Sequence, residues 1–157
     1  MNRNRVLAAV LIALLVAAGG FAVLGGEPAK TVSITNEREG TAVVELYQVG
    51  PDATVEVERA DGTTTSTQPE DVGSLANVTT VRVPANTSRE AVPVFPNGTA
   101  SADASQTGSR FVYVVHDGDP DGRTYLAVGL VDCGDATPSA NVTITDDDAT
   151  LDPDPCE

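Results

Sequence analysis

Two runs of the chain, Phe111–Val115 and Tyr125–Val131, are apolar at both odd and even positions. A strand with one face in water alternates apolar and polar residues, whereas a continuous apolar run is typical of a strand buried on both faces. The segment between them, His116–Thr124, is rich in Asp and Gly, as turns are. We therefore expect the two runs to form the central hairpin of a β-sheet.

Shorter stretches predict the strands around this hairpin. Val55 and Val57 alternate with polar neighbours, and Asp61-Gly62 supplies the positive-φ pair of a tight turn that returns into Thr63–Thr67. Residues 100–109 are small and polar, which indicates a loop. The other predicted strands are Thr31–Thr35, Thr41–Val49, Val78–Val83, Glu90–Phe95 and Val142–Ile144.

The fold class follows from this spacing of strands and turns. Pro93 indicates that Glu90–Phe95 is an edge strand, because proline has no backbone N–H to donate to a neighbouring strand. No helical period follows the N-terminal segment. About seven to nine short strands indicate an all-β protein, an antiparallel β-sandwich of the immunoglobulin-like type.

The N-terminal segment predicts the localisation of the protein. Val6–Gly26 is uncharged, follows Arg3 and Arg5, and would span ~31 Å as a helix, enough to cross a bilayer. The positive-inside bias makes it a single-pass anchor in the cell membrane, with the N-terminus in the cytoplasm. A cleaved signal peptide is the alternative and would give a secreted protein. We expect residues 1–26 to be the anchor or signal peptide, and residues 27–157 to be one extracytoplasmic β-sandwich domain with an acidic C-terminal tail.

The charge balance predicts the solvent. The chain has 23 acidic and 9 basic residues, for a net charge of −14. Such a surface repels itself in dilute buffer, but near 1 M salt the Debye length falls to ~3 Å and the repulsion is screened. We therefore expect an extracellular protein of a halophile. Intrinsic disorder is the alternative for this composition, against which the recurrent apolar runs argue. A cationic stripe for nucleic acid is missing from the sequence, which excludes DNA or RNA as a partner.

The two cysteines, Cys133 and Cys156, predict a disulfide in an oxidising exterior. Closing a loop of about 24 residues would contribute roughly 3 kcal/mol. The bond would also fasten the tail Asp146–Glu157, which has little else in the sequence to hold it. A metal-binding pair is the alternative, although one histidine and two distant cysteines make a poor ligand set.

Several of these features together resemble a known group of proteins. The anchor, the first strand Val32–Asn36, the segment Val131-Asp132-Cys133-Gly134 and the cysteine near the end resemble small exported, membrane-anchored haloarchaeal proteins of unassigned function. The resemblance implies export and a salt-adapted β-domain. It carries over no catalytic or binding residue.

The sharpest local motif is Asp117–Gly122, with Asp117, Asp119 and Asp121 at alternate positions. This spacing matches the front half of a calcium loop. The back half fails, because the position of the bidentate glutamate is Val128 and the flanks are strands. A solvated turn is therefore the simpler interpretation, and a Ca²⁺ or Mg²⁺ site is the alternative. We expect no other cofactor.

Four tripeptides match the N-glycosylation pattern, and each would lie on an exported surface. A threonine-rich β protein also produces such tripeptides by chance. The acceptor asparagines are Asn77, Asn86, Asn97 and Asn141.

The sequence offers little for catalysis. His116 is the only histidine, and the chain has no Gly-x-Ser-x-Gly turn, no zinc-binding histidine pair and no glycine-rich phosphate loop. We expect His116 to be a strand-end residue beside Asp117, and a hydrolase around it is the weakest alternative. The sequence thus predicts that the chain is not an enzyme.

The predicted role is a structural or protein-interaction component of a halophile's envelope, such as a surface-layer or filament-type protein. The expected partners are the membrane, through the N-terminal helix, and another envelope protein. The alternative is a cation- or ligand-binding surface module that uses the Asp117–Gly122 loop.

Overall fold

The computed structural model describes residues 31–84, 89–103, 109–119, 122–152 and 155–156. Within this part the fold is all-β, with eleven strands in three sheets and one short 3₁₀-helix at Pro69–Asp71. The predicted anchor, Val6–Gly26, lies outside the described residues. Among those that are described, no helix has the length and apolar character needed to span a bilayer.

The three sheets are named here by their place in the stack. The first sheet has the order β11-β10-β1-β7, with β1 at Thr31–Asn36, β7 at Gly98–Asp103, β10 at Ala140–Ile144 and β11 at Ala149–Leu151. The middle sheet has the order β6-β2-β8-β9, with β2 at Ala42–Gln48, β6 at Arg89–Val94, β8 at Arg110–Asp117 and β9 at Tyr125–Asp132. The cover sheet has the order β4-β3-β5, with β3 at Val55–Arg59, β4 at Thr64–Thr67 and β5 at Val78–Arg82. Neighbouring strands are antiparallel except β1 and β10, which pair in parallel.

The middle sheet is buried on both faces. One face packs Leu46, Phe111 and Val115 against the first sheet, in a core that also contains Val32, Ile34, Val142 and Ile144. The opposite face packs Val112 and Val114 against the cover sheet, through Val55, Val57 and Val78. These two cores explain why Phe111–Val115 is apolar at both parities.

The predicted hairpin of β8 and β9 is present, but only β8 is central. β9 is the last strand of the middle sheet, so its predicted central position is wrong. Its burial comes instead from packing above and below: Leu126 and Val131 enter the first core, Tyr125 enters the second, and the 3₁₀-helix lies against the strand. An apolar run thus reports burial of both faces and does not report the number of strand neighbours.

The turn between β3 and β4 is tight, although its geometry differs from the prediction. Gly62 has φ of 82° and donates its N–H to the Arg59 carbonyl at 2.9 Å, while the Arg59 N–H donates to the Thr63 carbonyl at 3.0 Å. Asp61 does not share the positive φ. Its carboxylate accepts the Thr63 N–H at 2.9 Å instead. The turn is therefore a three-residue loop with glycine in the left-handed position.

β6 and β7 are the end strands of two sheets. β6 lies at the edge of the middle sheet, as Pro93 predicts. The predicted loop at 100–109 is wrong in its first part, because β7 extends to Asp103 and pairs with β1. Ala102 is buried on the core face of β7 and Ser101 is exposed on the other, so the strand alternates with alanine as its apolar residue.

Cys133 and Cys156 form a disulfide, with their Cα atoms 5.4 Å apart. The C-terminal tail is held by more than this bond, contrary to the expectation. β11 pairs with β10, and the Ser139 N–H donates to the Pro155 carbonyl at 2.8 Å.

The two-sided burial of the middle sheet makes a testable prediction about Val114 and Val115, which point to opposite faces of β8. Each Val→Thr substitution keeps the shape but buries a hydroxyl, so each should lower the free energy of unfolding by about 1–3 kcal/mol. Thermal unfolding in molar NaCl measures both. A neutral effect of Val114→Thr beside a costly Val115→Thr would mean that the cover sheet does not pack on the middle sheet.

Candidate functional site

Three polar residues are buried in the described part of the chain: Asn36, Glu45 and His116. Asn36 has a structural task, because its side-chain amide donates to the carbonyls of Gly40 and Val94 at 2.9 and 3.0 Å and so ties the β1–β2 turn to β6. Glu45 and His116 differ, because their side chains meet each other. They form the candidate site.

The strand periodicity places Glu45 and His116 together. Ala42, Val44 and Leu46 of β2 face the first sheet, so Glu45 faces the cover sheet. The β2–β8 register sets Glu45 opposite Val114, two residues from His116 on the same face. Both residues are only 4% exposed.

The Glu45 carboxylate joins side chains from three strands and one loop. Its Oε1 accepts a hydrogen bond from Arg89 on β6 and lies 3.4 Å from Nε2 of His116 on β8. The same oxygen lies 3.7 Å from a guanidinium nitrogen of Arg123, in the loop before β9. Oε2 accepts a hydrogen bond from the Tyr47 hydroxyl. We call these five residues the Glu45 cluster.

These partners fix the charge state of Glu45. Burial on its own raises the pKa of the carboxyl. The hydrogen bonds from His116 and Tyr47 and the charge of Arg89 outweigh burial and lower the pKa to about 2. Burial and the bond to Glu45 raise the pKa of Tyr47, which therefore stays a neutral donor. An ionised carboxylate with so low a pKa is a weak general base.

His116 is enclosed by protein oxygens. Its Nδ1 faces the Asp117 carbonyl and its Nε2 faces Glu45, while its ring meets the Tyr125 ring edge-on at 5.9 Å. With a side chain 5% exposed and both ring nitrogens directed at the protein, the imidazole is not presented to a substrate. His116 lies at the end of β8 beside Asp117, as the sequence predicts.

A groove opens beside the Glu45 cluster, between β6 at the edge of the middle sheet and β5 at the edge of the cover sheet. Its volume is about 640 Å³, and its charged lining residues are Glu45, Glu56, Arg82, Arg89 and Arg123. We call it the arginine groove. A second groove of about 700 Å³ shares Arg123 and runs toward Asp146–Asp148.

The predicted calcium loop is only partly described. Asp117 is the last residue of β8, and its Oδ1 accepts the Thr124 N–H at 2.9 Å, which closes the hairpin loop. Asp119 is exposed, and Asp121 lies outside the described residues. In the described ranges, no three His, Cys, Asp or Glu residues are placed to share a metal ion. A cation at this loop stays a prediction.

Three of the four predicted glycosylation sites lie in the described part, and all three are exposed. Asn77 and Asn97 occupy turns, with φ of 62° and 50°. Asn141 lies on β10, and its side-chain amide donates to the Asp152 carboxylate at 2.8 Å. Asn86 lies outside the described residues. Glycans at these positions stay a prediction.

Sequence reasoning missed the Glu45 cluster. Glu45 and Arg89 are 44 residues apart, and Glu45 and His116 are 71 residues apart, so no local spacing connects them. The available signal was Glu45 itself, a lone acid inside the apolar run Ala42–Tyr47. A carboxylate in that position requires a buried partner.

A family model described as "Halobacterial Ig domain protein" matches residues 1–152. Searches of curated proteins and of solved structures gave no match.

The Glu45 cluster predicts a specific pH dependence of stability. Because the pKa of Glu45 is about 2 in the fold against an ordinary 4.5, ionisation favours folding above pH 4.5 and this contribution is lost as the pH falls toward 2. Glu45→Gln should cost about 3 kcal/mol at pH 7, because it removes the ionised carboxylate whose lowered pKa corresponds to a contribution of that size.

The measurement is the difference in melting temperature between wild type and Glu45→Gln in molar NaCl. This difference should be largest at pH 5–7 and shrink toward pH 2. The exposed Glu39→Gln is the matched control and should show no such trend. A pH-independent difference for Glu45→Gln would contradict the assigned charge state.

Proposed function

Because the chain belongs to the family of halobacterial Ig domain proteins, we propose that it is an interaction module of a halophile's envelope, displayed outside the cell membrane. The match over residues 1–152 carries the proposal. A structural or interaction module of this kind is non-catalytic, and a rigid stack of sheets presents its surfaces to partners.

The polar chemistry of the site supports binding over catalysis. Glu45 is ionised and hydrogen-bonded at both oxygens, and His116 is enclosed. Neither offers the accessible base that a hydrolase needs. The open groove beside them is lined instead by half-exposed arginines, which suit recognition.

Two features support an extracytoplasmic position. Val6–Gly26 follows Arg3 and Arg5, the arrangement of a segment that enters a membrane with its N-terminus inside. The Cys133–Cys156 disulfide suits an oxidising exterior, since cytosolic thiols are usually kept reduced. On this proposal the described sheets stand in brine, held by the N-terminal segment or released after cleavage.

To test the localisation, the full chain is expressed with a C-terminal tag in a haloarchaeal host. We expect the tag in the membrane fraction and open to an added protease in intact cells, or in the medium if the segment is cleaved. A variant that lacks residues 1–26 is the control and should remain in the cytosol. A full-length chain recovered from the cytosol, with both thiols free, would overturn the proposal.

The net charge of −14 predicts salt-dependent folding. Dilution below roughly 0.5 M salt should unfold the domain, because unscreened carboxylates then repel one another. Far-UV circular dichroism against NaCl concentration measures the midpoint. Replacing the exposed Glu39, Asp52 and Asp147 by their amides should move the midpoint to lower salt. A spectrum that desalting leaves unchanged would contradict this reading of the charge.

A further inference from the structure

The arginines of the described chain fall into two groups. Three make their contacts away from the arginine groove. Arg38 lies 4.0 Å from Asp146, Arg59 donates to the Ser74 carbonyl at 3.1 Å, and Arg110 donates to the Gly50 and Pro51 carbonyls at 3.0 Å each. The other three are Arg82, Arg89 and Arg123, and all of them line the arginine groove. In a chain of net charge −14, this gathering of cations needs an explanation.

Water reaches the second group more than the first. The side chains of Arg82, Arg89 and Arg123 are 66%, 49% and 47% exposed. Those of Arg38 and Arg110 are only 16% and 24% exposed. A guanidinium at the wall of a groove can therefore exchange water for a ligand without first being uncovered.

The Glu45 cluster holds two of these arginines in place. Arg89 and Arg123 both approach the same carboxylate oxygen of Glu45, and Arg89 also lies over the Tyr47 ring at 5.9 Å. Each guanidinium carries five N–H donors, and only Arg89 hydrogen-bonds Glu45, through one terminal nitrogen, while Arg123 lies 3.7 Å from the same oxygen. One carboxylate charge is shared by two cations, so the pair keeps a net positive charge.

The opposite wall supplies the third cation and an apolar surface. Arg82 ends β5 and lies 4.0 Å from Glu58 at the rim, while Val81, Val83 and Pro84 line the groove beside it. The groove thus runs between the end strands of two sheets, a place suited to an extended chain.

We propose that the arginine groove binds the side-chain carboxylates of an acidic polypeptide segment, laid between β5 and β6. The planar fork of arginine matches a carboxylate with two parallel hydrogen bonds. Single charges spaced along a peptide can meet Arg89, Arg123 and Arg82 in turn. A compact dianion such as phosphate would instead bring two charges close to Glu45 and Glu56.

Molar salt makes this contact chemistry necessary. At a Debye length of ~3 Å, long-range attraction between charged surfaces vanishes, and recognition depends on groups in direct contact. At this salt concentration, the acidic surface outside the groove would repel an acidic partner only weakly. The partner would bind only where arginine guanidinium groups form direct hydrogen bonds with its carboxylates. The proposal rests on the proposed function in taking the partner to be another envelope protein.

The experiment measures fluorescence anisotropy of a labelled hexaglutamate peptide with the full chain in detergent and molar NaCl. Hexaglutamate should bind at least about tenfold more tightly than hexaglutamine. A tenfold difference in Kd corresponds to the free energy of roughly one charge-assisted hydrogen bond. Polygalacturonate and inorganic phosphate are the competing probes, for sugar carboxylates and for dianions. Neither should displace the peptide at matched charge concentration.

The variants separate the groove from general electrostatics. Two variants test the groove: Arg82→Gln and Arg89→Lys. The lysine keeps the positive charge beside Glu45 but loses the planar pair of N–H donors. Each variant should weaken hexaglutamate binding about fivefold to tenfold. Arg59→Gln, outside the groove, removes the same charge as Arg82→Gln and should leave the affinity unchanged. Melting temperatures in molar salt establish that each variant is folded.

Three results would overturn the proposal: no preference for hexaglutamate over hexaglutamine, equal loss of affinity in Arg59→Gln, or displacement by phosphate or polygalacturonate at matched charge. The localisation experiment is independent of this one. A chain displayed outside the cell with no affinity for hexaglutamate would overturn the groove alone. A cytosolic chain that binds the peptide through Arg82 and Arg89 would overturn the envelope role alone.

Discussion

The burial of the middle sheet on both faces is the constraint on which the rest of the structure depends. Phe111 and Val115 need an apolar surface on one side, and Val112 and Val114 need another on the opposite side. The first sheet supplies one surface. The second comes from the segment between β2 and β6, which leaves the middle sheet, builds the cover sheet and returns. A chain of this length thereby forms two small cores, each made of valines and a few larger side chains, in place of one large core.

The Glu45 cluster is a consequence of that layering. The cover-facing side of β2 carries Glu45 next to the valines of the second core, so the carboxylate is removed from water and must be paired. Its cationic partners arrive at the points where the chain re-enters the middle sheet: Arg89 is the first residue of β6, and Arg123 precedes β9. The same contacts that neutralise Glu45 therefore hold Arg89 and Arg123 on the face of the middle sheet that is turned to the cover sheet, where both line the arginine groove.

Most strands could be predicted from the sequence, while the three-layer arrangement could not. Val55 and Val57 alternate cleanly, and the unbroken run at Phe111–Val115 correctly indicates two buried faces. β7 was missed because its core-facing residues are alanines, which are poor markers of a strand. The pairing of Glu45 with Arg89 and His116 depends on the β2–β6 and β2–β8 registers, which only the folded sheet defines. Periodicity thus identifies strands, but it does not specify which strands meet.

The use of arginine reconciles an acidic surface with a stable interior. The sequence contains a single lysine, Lys30, and every cation of the described part is an arginine. A guanidinium is less strongly hydrated than an ammonium and makes several directed bonds at once, so it keeps its partners where screening removes the attraction between distant charges. Arg110 uses this property to bind two backbone carbonyls, and Arg89 uses it to hold Glu45 while it remains half-exposed. The scarce positive charges therefore act by contact geometry. For this reason their positions, and not the net charge, determine where an acidic partner could be held.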